Sequence, residues 1–221
     1  MTDFPYFCIL QQVKTAMPRI HVCRFSSRLS EERKKALWRD FVRKTLRSEL
    51  GEEVRIGRQP QGKPCLVDYP GFFFNCSDSG DYAVLATDSH EIGVDLEVIR
   101  PRPYREILHR FFLPEEARSV LVADSEQERL HLFFKLWTGK ESLLKQVGCG
   151  LGADMRRHLV VDGKPSGAVK GLELRSYLLR EERLMPYDAS CARHGDAVLT
   201  VCARKGGTDT VVPHFIPLCR E

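Results

Sequence analysis

Between residues 125 and 148 the apolar side chains recur at helical spacing. Leu130, Phe133, Phe134, Trp137 and Leu144 fall on one stripe. Ser125 and Glu128 stand at capping-box spacing and Gly148 supplies a stop, so the pattern predicts a helix over 125–148. Glu141 falls near the middle of that stripe, one turn after Trp137. An ionised carboxylate in such a place is costly unless a cation or a metal pairs with it. Upstream, residues 92–98 alternate as a strand. Ile92, Val94, Leu96 and Val98 form the apolar set, and Asp95 and Glu97 project together from the other face. Two carboxylates on a strand and one on a helix suit a three-point cage for Mg²⁺, a hard cation that takes oxygen ligands.

The rest of the chain is punctuated by the same signals. A helix over 30–50 ends at Gly51 and buries Leu37, Phe41, Val42 and Leu46. Residues 57–71 hold Pro60, Gly62, Pro64 and Pro70 and read as turns. Short strands follow at 72–74, 82–87 and 91–98. The run Arg100-Pro101-Arg102-Pro103 reads as a connector, dividing the chain into an N-terminal half, 1–100, and a C-terminal half, 101–221. The second half opens with helices near 104–112, 114–122 and 125–147, then strands near 158–161, 171–179, 187–193 and 197–204. Residues beyond Lys205 are interrupted by Gly and Pro and read as irregular. Strands and helices mixed without a βαβα rhythm predict an α+β fold with antiparallel sheets.

Composition narrows the class further. At 43% hydrophobic and 29% charged residues, the 221-residue chain is ordinary for a globular protein of one large or two small domains. No run is long enough to span a membrane, and the first ten residues, with Asp3 and Pro5, lack a signal-peptide pattern, so the expected location is the cytoplasm. The eight cysteines form no CxxC pair and no zinc-spaced cluster, and read as reduced thiols, several of them in the core. A net charge of +4 is too mild to argue for nucleic acid. The basic residues gather at Arg33, Lys34, Lys35, Arg39, Arg43, Lys44 and Arg47. They make either a solvated helix face or a docking surface for an acidic partner or a phosphate-bearing ligand. The seven histidines are dispersed, and none pairs with Cys or Ser at catalytic spacing.

Four segments stand in order: Gly62-Lys63-Pro64; Phe74-Asn75-Cys76-Ser77-Asp78-Ser79-Gly80; Gly93-Val94-Asp95-Leu96-Glu97; and Trp137-Thr138-Gly139-Lys140-Glu141-Ser142-Leu143-Leu144-Lys145. Each alone is weak, but the ordered set resembles the 4′-phosphopantetheinyl transferase superfamily, and within it the longer monomeric Sfp-type. The longer segment Ile92–Arg102, with its run from Glu97 to Arg102, further resembles proteobacterial members that modify acyl carrier proteins. The resemblance implies two similar α+β halves, a pseudo-dimer, with the ligand site between them. It implies transfer of the phosphopantetheine arm of coenzyme A to a serine of an acidic acyl, peptidyl or aryl carrier protein. The arm's transfer would need Mg²⁺, release adenosine 3′,5′-bisphosphate, and be carried out by a monomer that binds neither nucleic acid nor membrane. The alternative is a non-catalytic relative that binds coenzyme A or a carrier protein. A third reading is a structural protein whose acidic groups are paired internally.

Carried over by position, the resemblance makes Asp95, Glu97 and Glu141 the metal ligands. Glu141 is also the candidate general base, a role that competes with metal binding. It places Lys145 beside the pyrophosphate, Lys63 at the adenine end, Arg43 at the 3′-phosphate, and Asn75 and Ser77 along the nucleotide. Lys140 is expected to point away toward the edge of the stripe. Asp78 departs from the family, which carries a histidine there in contact with the 3′-phosphate. An aspartate would repel that phosphate unless it is turned away or bridged by a cation.

Overall fold

The computed structural model describes residues 18–149, 155–157, 160–161, 164–165, 171–180, 183–206 and 212–217. The order is β1 (Arg19–Arg24), α1 (Glu31–Leu50), β2 (Ile56–Arg58), β3 (Pro64–Leu66), β4 (Phe73–Ser79), β5 (Tyr82–Asp88), β6 (Gly93–Val98) and α2 (Tyr104–Phe111). There follow α3 (Pro114–Leu121), α4 (Glu126–Val147), β7 (Val160–Val161), β8 (Lys164–Pro165), β9 (Leu172–Arg180), β10 (Arg183–Pro186), β11 (Ala197–Arg204) and β12 (Val212–Pro217). The fold is α+β. One sheet runs β12-β1-β5-β4, a second runs β10-β9-β11-β6, and β2-β3 and β7-β8 are hairpins. Among the described residues, all pairs are antiparallel except β1 with β12, which is parallel.

Strict alternation builds four layers. On β5, Ala83 and Leu85 pack with Leu37, Phe41, Val42 and Leu46 of α1, while Tyr82, Val84 and Ala86 face the second sheet. On β11, Ala197, Leu199, Val201 and Ala203 face the first sheet, while Val198 and Cys202 face the helices with Phe133, Phe134 and Leu143. The layers are therefore α1, first sheet, second sheet, and α2–α4. Both long helices carry the expected caps. Ser30 accepts from the Arg33 amide and Ser125 from the Glu128 amide, and Gly51 and Gly148 close the helices at positive φ.

Several expectations need correction. Phe73–Ser79 is one strand and does not end at 74, because the polar residues after Phe74 face a polar seam. Residues 187–193 are not a strand. Pro186 ends β10, and the Asp188 carboxylate accepts from the Ser190 amide, turning Ala189–Cys191 into a 3₁₀ turn. The tail is not all irregular, since Val212–Pro217 joins β1 as an edge strand, where missing proline N–H groups can face outward. Lys140 does not lie at an edge. It is 1% exposed and pairs at 2.7 Å with Glu116, which is fully buried. Its Nζ also donates to the Met155 carbonyl at 2.7 Å, and Glu116 accepts from the Leu113 and Val160 amides, so this polar cluster is well satisfied. His158 and Leu159, part of an expected strand, lie outside the described residues, as do Cys8 and Cys219. The cysteines at 23, 65, 76, 149, 191 and 202 are free thiols, and Cys23 and Cys202 are core residues.

One contact sets how α4 lies on the second sheet. A Cβ added to Gly93 would stand 1.9 Å from the Ser142 carbonyl oxygen and 2.5 Å from the Gln146 nitrogen. Only a residue without a side chain lets the helix backbone come this close. Gly139, by contrast, would place a Cβ 3.5 Å from Leu174 Cδ1, an ordinary contact. Gly93→Ala is therefore expected to destabilise by about 3 kcal/mol or more, because rigid backbone cannot yield. Gly139→Ala should be neutral or stabilising by up to about 1 kcal/mol through helix propensity. Urea denaturation of the two variants checks the opposite signs.

Candidate functional site

The site forms where the free edges of the two sheets meet. β4 ends the first sheet and β6 ends the second, with α4 lying across β6. An edge strand exposes unpaired backbone donors. Here β4 supplies side chains to meet them. Asn75 Oδ1 accepts from the Val94 amide at 3.0 Å, and Ser79 Oγ accepts from the Val98 amide at 3.1 Å. Between them, Ser77 Oγ donates to Asp95 Oδ1 at 2.9 Å, and Ser79 Oγ donates to Glu97 Oε2 at 3.0 Å. Period-two spacing puts Asn75, Ser77 and Ser79 on one face of β4, so three consecutive same-face positions serve the seam.

From α4, Lys145 Nζ donates to Asp95 Oδ1 at 2.7 Å and to Ser77 Oγ at 3.1 Å. Asp95 is 5% exposed and Glu141 is 5% exposed, so little water reaches either. Burial pushes the Asp95 carboxyl above its ordinary range, against the Lys145 charge and the Ser77 hydroxyl, which hold it down. Burial also raises Glu97, with the neighbouring Asp95 charge adding to it and Ser79 and Arg102 opposing. Glu141 is pushed up to about 7 by burial and then by the charge of Asp95, and only Lys145 opposes. Three carboxyl groups that all resist ionisation share one seam. That is the electrostatic signature of a place short of positive charge. Cys76, on the same strand, is held as the protonated thiol by burial, which pushes it up to about 11.

Asp95 Oδ2 is buried and has no hydrogen-bond partner. With Glu97 and Glu141 nearby, the donor set is all carboxylate oxygen and fits a hard divalent cation. Among the described residues, no group of three or more His, Cys, Asp or Glu already stands together at metal-binding distances. The Lys145 ammonium on Asp95 Oδ1 supplies the positive charge in this arrangement.

The remaining expected residues are placed differently. Asp78 is exposed, and the β4 pleat turns it to the α1 side, away from Ser77 and Ser79. Arg43 is exposed on α1, on the far side of the first sheet from the carboxylates. Lys63 is buried, and its ammonium is held by Glu91 and by the Ile92 and Gln146 carbonyls. Beside it lies a cavity of about 240 Å³ lined by Lys63, Pro64, Tyr69, Phe72 and Phe74. Sequence reasoning missed Ser79, whose signal was its place two residues beyond Ser77. It also missed Arg102, whose guanidinium reaches within 3.6 Å of Glu97 from the Pro-rich connector.

Comparison with known proteins came to the same region. A family model described as the 4′-phosphopantetheinyl transferase superfamily matches residues 91–202, and one described as the 4′-phosphopantetheinyl transferase N-terminal part matches 13–90. The chain is 36% identical over 148 residues to the 4′-phosphopantetheinyl transferase Sfp of Bacillus subtilis (strain 168), covering 65% of each chain. It is 41% identical over 99 residues to the 4′-phosphopantetheinyl transferase ffp of Bacillus subtilis, covering 45% of this chain and 43% of the relative. It is 32% identical over 133 residues to the mouse L-aminoadipate-semialdehyde dehydrogenase-phosphopantetheinyl transferase, covering 53% and 43%. The matched stretch thus spans between about two fifths and two thirds of these relatives' length.

The Glu141 environment has a pH consequence in metal-free buffer. Its folded-state pKa of about 7 stands above the ordinary value of 4.5. The native state therefore holds its proton more tightly than the unfolded chain. The stability this contributes is full below pH 4.5 and is lost as pH rises through about 7. Glu141→Gln should remove that slope. At pH 8 with chelator the variant should be more stable than wild type, by at most about 3 kcal/mol. Thermal melts across the pH range check this, and a variant that is clearly less stable at pH 8 would point to an internal salt bridge at Glu141.

Proposed function

The chain belongs to the 4′-phosphopantetheinyl transferase superfamily, and from that premise we propose that it moves the phosphopantetheine arm of coenzyme A to a serine of an apo carrier protein. The observation that carries this reading is the buried Asp95 with its unpartnered Oδ2, set between Lys145 and two further carboxyl groups that resist ionisation. A module that only binds has no need of carboxylates held at such cost.

In this reading the serine oxygen bonds to the phosphorus of the arm. The bond from that phosphorus to the bridging oxygen breaks, and adenosine 3′,5′-bisphosphate leaves with the electron pair. Mg²⁺ held by Asp95, Glu97 and Glu141 would neutralise the pyrophosphate and its leaving oxygen. Lys145, now on Asp95, would turn its ammonium to a phosphate oxygen bound in the same seam. Ser77 donates to Asp95 and Ser79 to Glu97, and these bonds orient the two carboxylates for the ligand. The serine proton needs an acceptor, and a carboxyl poised at about 7 is suited to take one, directly or through water. Metal coordination and proton acceptance compete at Glu141, and the metal role ranks first.

The cavity beside Gly62-Lys63-Pro64, with its aromatic walls, has the character of a nucleobase pocket. On α1, Lys35, Arg39, Arg43 and Arg47 recur every fourth residue as one basic ridge. Arg47 pairs with Glu53, while Lys35, Arg39 and Arg43 are exposed. That ridge would suit an acidic carrier protein. No helix among the described residues is long and apolar enough to cross a membrane. The free thiols support a reaction in the cytoplasm.

Incubation with coenzyme A, Mg²⁺ and a panel of apo carrier proteins, read by intact mass, tests the reading. One phosphopantetheinyl group should appear per carrier. Asp95→Ala and Glu141→Ala should stay folded and lose about a hundredfold or more in transfer, since each removes charge stabilisation worth several kcal/mol. Near-wild-type turnover of either variant at saturating Mg²⁺ would refute the assignment.

A further inference from the structure

Lys63 lies in the loop region joining β2 to β3, yet it is only 8% exposed. An ammonium has three N–H donors. All three have acceptors in the protein: the Glu91 carboxylate, the Ile92 carbonyl at 3.2 Å and the Gln146 carbonyl at 3.0 Å. Two of these acceptors sit where position matters most. Gln146 belongs to the last turn of α4, whose carbonyls have no partners within the helix and favour a cation. Ile92 directly precedes Gly93, the residue against which α4 is pressed. The tie is doubled. Gln59 Nε2 donates to Glu91 Oε1 at 3.2 Å, and Gln146 Nε2 donates to the Glu91 carbonyl at 3.4 Å. The lysine stem also lies against the helix stop, with the Cβ position of Gly148 3.8 Å from Lys63 Cδ.

We propose that Lys63 is a positioning residue: its ammonium pins the C-terminal turn of α4 to the start of β6, and so fixes Lys145 and Glu141 over Asp95, instead of spending its charge on the coenzyme. Lys145 is one residue before the pinned Gln146, and its Nζ must fall on Asp95 Oδ1. A buried strut from a separate hairpin removes the fraying that a helix end otherwise shows. The kinetic part of this inference rests on the transferase reading; the structural part does not.

The test compares wild type with Lys63→Met, which keeps the stem and removes the charge, and with Glu91→Gln, which weakens the strut from its other side. In the ligand-free protein, amide exchange over 144–148 should accelerate by about tenfold or more in Lys63→Met, while β5 and β11 keep their protection. In steady state, kcat should fall by about tenfold or more while KM for coenzyme A stays within about twofold. Glu91→Gln should move both readouts the same way by less, and it carries the test if Lys63→Met does not fold. Unchanged protection of 144–148 overturns the proposal, as does a raised KM with kcat intact, the result expected if Lys63 contacts the coenzyme. If wild type transfers no arm at all, the transferase reading fails, and the exchange data still decide the strut.

Discussion

The approach of α4 to β6 at Gly93 is the constraint on which the site depends. A helix normally stands about 10 Å from a sheet, held off by the side chains between them. With no side chain at Gly93, the carbonyl of Ser142 and the backbone of Gln146 come down onto the strand. That contact fixes both the height and the rotation of the helix. Glu141 and Lys145, one turn apart, are brought to the strand that carries Asp95 and Glu97. A bulkier residue at 93 would lift the helix and separate Lys145 from Asp95.

Closeness of this kind concentrates like charge in a dry place. Burial raises the affinity of Asp95, Glu97 and Glu141 for protons, and the charge of Asp95 raises that of Glu97 and Glu141 further. The fold tolerates this because hydroxyls and one ammonium are built in around them. Ser77 and Ser79 serve the carboxylates, and with Asn75 the same face of β4 also serves the open backbone edge of β6. A polar strand thus does two tasks. It shields an edge, and it orients a charge cluster whose remaining deficit the proposed Mg²⁺ would meet.

Much of this was legible from local pattern. The caps of α1 and α4, the alternation of β6, and the carboxylate pair opposite its apolar face all express short-range rules. What was hidden depends on partners distant in sequence. Asn75 to Ser79 fall outside the strand read at 72–74 because they are polar, and become a strand only when β6 lies beside them. Val212–Pro217 carries two prolines and becomes a strand only beside β1. Lys140 reads as pointing to the edge of the stripe until Glu116, carried on another helix, is placed against it. Lys63 looks like a turn residue until the end of α4 comes within reach. Asp78 stood out as a departure in sequence, and the pleat of β4 turns it away from the carboxylates. The motif order pointed to the carboxylates, and tertiary contacts showed which lysine is a strut and which faces the charge.

The most direct measurement of the central claim is calorimetric titration of coenzyme A into the protein with and without Mg²⁺, beside Asp95→Asn. A carboxylate seam short of positive charge should repel the pyrophosphate when metal is absent. Binding of coenzyme A should therefore tighten by about tenfold or more when Mg²⁺ is added, and Asp95→Asn should abolish most of that gain. Coenzyme A binding that is indifferent to Mg²⁺, or a gain that survives Asp95→Asn intact, would contradict a seam built to share a cation with the pyrophosphate.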